Sequence, residues 1–175
     1  MGDDINIGFV PDSWQEKQTI IKVIGVGGGG CNAVTQMYKD GIRDVDFLVC
    51  NTDSQSLIDS PVLDKLQLGE GLGAGCDPEE GRKLAIDKSE EIKNKLSDGT
   101  KMLFITAGMG GGTGTGASPV IAKIAKEMGI LTIAVVTQPF KDEGTEFLRR
   151  AYEGIQELAK NVDSLLIIDN QKIYD

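Results

Sequence analysis

Residues 108–116 read Gly-Met-Gly-Gly-Gly-Thr-Gly-Thr-Gly, and they constrain what this chain can fold into more than any other stretch. They lie between an apolar run at 102–107, which reads as a buried strand, and residues 117–125, which read as a helix with Pro119 in its first turn. Consecutive glycines keep Cβ atoms out of the way, so neighbouring backbone N–H groups can turn toward one bound group. Two threonines add hydroxyls, and the helix N-terminus behind them adds partial positive charge. The combination suits a chain of phosphates. A flexible linker is the plainer alternative, but a linker has little reason to join a buried strand to a helix.

The rest of the 175-residue chain is ordinary for one globular domain, with 40% apolar and 26% charged residues. Its 23 glycines cluster, which marks loops rather than a disordered tract. A formal net charge of −9 argues against a nucleic-acid duplex or an anionic membrane as the main partner. It leaves a nucleotide open, because backbone amides bind phosphates without Lys or Arg. Nothing reads as a secretory leader or as a bilayer-spanning run, so direct membrane insertion is not expected. Cys31, Cys50 and Cys76 are odd in number and far apart, as expected of reduced thiols in a cytoplasm. With no histidine and no Cys pair, neither a zinc site nor imidazole acid–base chemistry is expected.

Residues 1–18, polar and acidic with Trp14, read as a loose arm before a domain at 19–175. A β-branched strand at 19–24 runs into a glycine loop at 25–30, followed by a short helix at 32–38. A second strand at 45–50 leaves Asn51, Thr52 and Asp53 at its carboxyl end. A brief strand at 66–68 precedes a third glycine-rich loop at 69–75. Asp77-Pro78-Glu79-Glu80 opens a single helix expected to run to about Leu96. Beyond the central glycines come a helix from Ser118 to Gly129, an apolar strand at 130–136, a helix at 145–160 and a strand at 164–168. Strands alternate with helices and are apolar throughout, so the fold class is α/β: a parallel sheet with both faces covered by helices. In such sheets ligands sit beyond the carboxyl ends of the strands, where all the glycine loops fall.

A P-loop would need Lys directly after its glycines, and no cluster here has it. An NAD-binding Rossmann oxidoreductase is the serious alternative, because Gly25-x-Gly27-x-x-Gly30 follows a strand and precedes a helix. The acidic residue expected at the end of the second strand is Asn51, however, and that reading requires no second phosphate loop.

The run at 110–116 resembles the signature of the tubulin superfamily, and its surroundings resemble the FtsZ family of division-ring proteins. Further matches are IKVIGVGGGGCNAV at 21–34, Asn51-Thr52-Asp53, residues 71–75 with Pro78, Gly81 and Arg82, and residues 106–117. Thr137-x-Pro139-Phe140-x-x-Glu143-Gly144 and Val162-Asp163-Ser164-Leu165 match as well, so the resemblance covers 19–175. It implies a Rossmann-like GTP-binding domain of tubulin/FtsZ type, taking GTP or GDP with Mg²⁺ carried by phosphates and water. Gly28, Gly29 and Asn32 would face the nucleotide, Asn32 near the guanine. Gly73, Ala74 and Gly75 would lie beside the terminal phosphate, with Asn51 on the same rim. Gly108, Gly110, Gly111, Gly112, Thr113, Gly114 and Thr115 would wrap the phosphates. Thr137 and Pro139 complete the rim, Glu143 would reach the ribose, and Asn170 would bond the guanine edge. From the residues alone, Asn32 also reads as a helix cap and Glu143 as a solvated acid.

The chain departs from the family pattern in places. Cys31 stands where glycine is usual, Asp169 replaces a proline, and Phe147 takes the place of an arginine, with Arg149 and Arg150 following. Family members continue through a central helix into a second domain, whose acidic loop acts on the neighbouring subunit's nucleotide. The resemblance therefore implies a nucleotide-binding half that begins this helix near Asp175, carries no catalytic residue of its own and hydrolyses GTP poorly alone. Its implied partners are further copies in head-to-tail filaments and other cell-division proteins, at the cytoplasmic division site at midcell.

Overall fold

The computed structural model describes residues 20–170 and residue 172. The arm expected at 1–18, with Trp14, and most of the helix start expected at the C-terminus lie outside the described residues.

Six strands form one sheet: β1 (Ile21–Val26), β2 (Asp46–Asn51), β3 (Asp64–Gln67), β4 (Met102–Gly108), β5 (Leu131–Gln138) and β6 (Ser164–Asp169). Their order is β3-β2-β1-β4-β5-β6, and every neighbouring pair is parallel. The chain winds outward from β1 in one direction and then restarts at β4 beside it. The β1/β4 junction is thus the switch point at which an open parallel sheet offers a crevice.

On one face lie α3 (Pro78–Asp87), α4 (Ser89–Leu96), α5 (Gly112–Glu127) and α6 (Thr145–Ala159). They bury Ile24, Leu48, Leu103, Ile105, Ala134 and Val136 of the sheet against Ala85, Ile92, Leu96, Ile121 and Leu158. The other face carries α1 (Gly27–Lys39) and the short α2 (Ser54–Asp59), which cover Val23 and Val49 with Cys31, Val34 and Leu57. Coverage there is incomplete, contrary to the expectation from apolar strands. Burial alternates along β4, and on β6 Leu166, which shares this face with its β5 neighbour Val135, is 57% exposed. The reason is positional: α1 sits over β1, β2 and β4 and α2 over β2 and β3, and no described helix lies over β5 and β6 on that side.

Three helix boundaries differ from the sequence reading. The glycines at 27–30 are not a loop but the first turn of α1, and α5 likewise begins at Gly112, so Pro119 is well inside it. Glycine is a poor helix former, and here tight packing offsets that cost. A Cβ on Gly30 would lie 2.2 Å from the Thr106 carbonyl oxygen, and one on Gly116 would lie 1.9 Å from that of Pro78. The helix expected from 77 to 96 is two, broken at Lys88. The Ser89 hydroxyl donates to the Ile86 carbonyl at 2.5 Å, which draws that carbonyl into a local bond at the break.

Candidate nucleotide site

The carboxyl end of β1 leads straight into α1, and that of β4 leads through residues 109–111 into α5. The first four N–H groups of any helix lack intrahelical partners. Elsewhere in this chain such termini are cared for: Asp53 accepts from the Gln55 N–H to cap α2, and Asp77 accepts from the Glu79 N–H to cap α3. Helices α4 and α6 lack a side-chain cap but carry acids in the first turn, Glu90 and Glu91 on one and Glu146 on the other. Only α1 and α5 among the described helices have neither a side-chain cap nor an acid in the first turn. Both N-termini open on the same cavity, of about 440 Å³. Two free sets of N–H donors, each with about half a positive charge, make that cavity a place for an anion.

The walls follow from the loops. Gly28 and Gly29 of α1, Gly108 at the end of β4 with Met109 beyond it, and Gly111, Gly112, Thr113 and Gly114 opening α5 form the floor. Asn51, Thr52, Asp53 and Ser56 after β2, with Gly73, Ala74 and Cys76, form one wall; Thr137, Pro139, Glu143, Phe147 and Asn170 form the other. The sequence-based candidates Asn32, Gly75, Gly110 and Thr115 are not in the lining. Asn32 is on the exposed side of α1. Thr115 is buried, and its hydroxyl accepts from the Gly110 N–H at 2.7 Å, so this side chain shapes the loop.

Hydrogen bonds fix several lining groups before any ligand arrives. The Thr52 and Thr113 hydroxyls lie 2.6 Å apart, tying the end of β2 to the first turn of α5. Asn51 Oδ1 accepts from the Thr52 N–H at 2.8 Å, which turns the chain out of β2. Glu143 Oε1 accepts from the Phe140 N–H at 2.9 Å, which folds the 3-10 turn Lys141–Glu143 and leaves the second carboxylate oxygen uncommitted to that bond.

The charged side chains in the lining are Asp53 and Glu143, and no Lys or Arg is among them. Arg149 is occupied by Glu146 and Glu153, while Arg150 donates to the Cys76 carbonyl at 2.9 Å. An anion here would be held by backbone dipoles rather than by a cationic side chain. Among the described residues no group of three or more His, Cys, Asp or Glu side chains is arranged to hold a metal.

Thr52, Asp53, Ser56, Cys76, Met109 and Phe147 line the cavity without having been singled out as site residues from sequence. For Thr52 and Asp53 a signal existed, since they follow Asn51 at a strand's carboxyl end. Cys76 and Met109 carried none. Cys76 is exposed, whereas Cys31 and Cys50 are buried. Burial pushes the Cys31 thiol up to about 11 and raises that of Cys50 further, so both stay protonated.

The strand order alone is shared with dinucleotide-binding folds, so sequence comparison decides between the readings. The model of the tubulin/FtsZ family GTPase domain matches residues 20–175. The chain belongs to the tubulin/FtsZ family. It is 55% identical over 159 residues to the cell division protein FtsZ of Porphyromonas gingivalis, covering 88% of this chain and 35% of that protein. The chain therefore spans about a third of the length of this curated relative. Among solved structures, the empty FtsZ dimer of M. jannaschii superposes with a TM-score of 0.87 at 42% identity, covering 93% of this chain and 48% of that one. CetZ2 from Haloferax volcanii, solved as a GTPγS-bound protofilament, gives 0.78 at 28% identity over 86% of this chain and 49% of its own. The family assignment disfavours the oxidoreductase reading and agrees with the α/β class read from the sequence.

Proposed function

We propose that this chain is the nucleotide-binding unit, residues 19–175, of a tubulin-like cell-division GTPase that joins head to tail into filaments. The observation that carries the reading is the convergence of two uncapped, acid-free helix N-termini on one cavity in the tubulin/FtsZ fold. The N–H groups of Gly28, Gly29 and Gly111 to Gly114 would hold the phosphates of GTP or GDP, and the Gly73–Ala74 wall would lie beside the terminal one. The free oxygen of Glu143 would accept from a ribose hydroxyl, and Asn170 would meet the base with a donor and an acceptor. Mg²⁺ accompanying the phosphates would take most of its ligands from phosphate oxygens and water.

Hydrolysis needs a group that orients the attacking water. Asp53 and Glu143, the carboxylates of this cavity, are engaged in folding their own loops. The positioning acids would thus come from another copy across a heterologous contact, a reading supported by the dimer and protofilament solved for relatives. Other cell-division proteins as partners and a place at midcell belong to the same proposal. The test is turnover and sedimentation of the purified chain with GTP and Mg²⁺. Little hydrolysis by the chain alone, and shortening of filaments of an intact relative when it is added, are expected. Rapid turnover that survives Thr113→Ala, or long filaments of this chain alone, would refute the reading.

A further inference from the structure

Helix α6 touches the glycine loop of the cavity floor and the 73–76 loop of one wall, through residues at i, i+3 and i+7 on one face. Phe147 lies against Gly110, where an added Cβ would fall 2.3 Å from the ring carbon Cε1 and φ is +117°, a conformation open in practice to glycine alone. One turn on, Arg150 Nη1 donates to the Cys76 carbonyl at 2.9 Å, linking positions 74 residues apart. A turn later Gly154 packs so closely on α5 that a Cβ would fall 2.4 Å from Thr115 Cγ2 and 2.9 Å from Met109 Cε.

The wall that Arg150 grips has an unusual backbone. Gly73, Gly75 and Cys76 all have positive φ, and at 59° Cys76 is in a region that non-glycine residues avoid. Two backbone bonds hold the segment from inside, the Gly73 N–H to the Thr52 carbonyl and the Asp77 N–H to the Ala74 carbonyl. Arg150 supplies the side-chain hold from outside, its own Nε donating to Glu146 Oε1 at 3.2 Å. Backbone donors cannot reach for a ligand as a lysine can, so their spacing must be set beforehand.

We propose that α6 is a clamp that fixes the spacing between the floor loop at 108–112 and the wall at 73–77, with Arg150 as its positioning residue and Phe147 as its buttress. The clamp stands in for a cation touching the phosphates, and its effect on ligand rests on the nucleotide reading above. The test compares Arg150→Ala, Arg150→Lys and Arg149→Ala by amide hydrogen exchange without ligand and by calorimetry with GTP. In Arg150→Ala, amides at 73–77 should exchange about five- to tenfold faster while β1 and β4 amides keep their rates, and GTP should bind about five- to tenfold more weakly. Arg150→Lys should recover most of both effects, and Arg149→Ala should match the wild type. Unchanged exchange at 73–77, acceleration spread evenly over the sheet, or no recovery with lysine would overturn the clamp. If the wild type binds no guanine nucleotide, the nucleotide reading falls, and the exchange comparison still decides whether Arg150 holds the wall.

Discussion

Placing a carboxylate at Gly111 should make the protein more stable and a worse binder at once. Gly111 is the N-cap of α5, with φ −76° and ψ −178°, and an added Cβ there meets nothing within 4 Å. Aspartate fits that conformation and would accept from the N–H groups two and three residues on, Thr113 and Gly114. Relative to glycine, the cap contributes a few tenths of a kcal/mol, the negative charge at the helix N-terminus about 0.3–1, and the stiffer unfolded chain about 0.4–1. The sum, about 1–2 kcal/mol, raises Tm by roughly 3–6 °C for a domain of this size. The same carboxylate occupies the donors that the proposed function assigns to phosphate and would bring a negative charge within about 4 Å of it, a repulsion of about 4 kcal/mol at an effective dielectric of 20. Affinity for GDP should therefore fall at least about 100-fold, and Gly111→Asn, which caps without charge, should lose much less. Scanning calorimetry without ligand and titration with GDP measure both sides. A raised Tm with GDP affinity within threefold of wild type would show that the α5 N–H groups do not bind phosphate, and a lowered Tm would refute the capping argument itself.

Three other outcomes follow from the packing and the charges. Gly116→Ala pushes a methyl group into the backbone of α3, which cannot rotate away, so it should cost about 1–3 kcal/mol despite alanine's better helix propensity, read as a drop in urea midpoint. Lys22 is 1% exposed, and its Nζ donates to Asp98 Oδ2 and to the Lys95 carbonyl, each at 2.5 Å. Partial burial works against the Asp98 charge, yet the bonds from Lys22 and Thr100 hold its pKa below the ordinary 3.8. Its contribution is present above that value and is lost as pH falls below it. Asp98→Ala should thus cost about 1–2 kcal/mol at pH 7, discounted for its exposure, and less at pH 3, and Lys22→Met, which takes the donor from both Asp98 and the Lys95 carbonyl, should cost about 1–3 kcal/mol. Finally, native protein should offer one fast thiol to DTNB, Cys76, and saturating GDP should slow it. Fast reaction of Cys31 or Cys50, or no protection by GDP, would contradict the placement of these residues.

Five of the six strands were legible because they are apolar runs closed by polar or glycine-rich corners, and their alternation with helices specifies parallel pairing; β3, expected at 66–68, is Asp64–Gln67, where Leu66 is the one apolar residue. The helix starts at Gly27 and Gly112 were not legible. Glycine reads as loop, and what makes these residues helical is backbone-to-backbone contact with β4 and α3, which leaves no trace in local pattern. At the break at Lys88 the Ser89 hydroxyl donates to the Ile86 carbonyl, a bond that the local sequence pattern does not mark. The uncovered side of β5 and β6 was hidden for a related reason, since Val135 and Leu166 have the composition of a buried strand whatever covers them. The cavity was foreseeable from loops at strand ends. That α1 and α5 lack caps and acids is also written in the sequence, but it carries meaning only once their true first residues are known. Phe147 and Arg150 show the remaining limit, because their partners Gly110 and Cys76 are far along the chain.

The central claim is that this cavity holds a guanine nucleotide through backbone donors. Calorimetric titration of the chain with GTP, GDP and NAD, each with Mg²⁺, tests it most directly. One site binding GTP and GDP, no heat with NAD, and loss of binding in Gly111→Asp are the results expected. Binding of NAD in preference to GDP, or GDP binding that Gly111→Asp leaves intact, would contradict it.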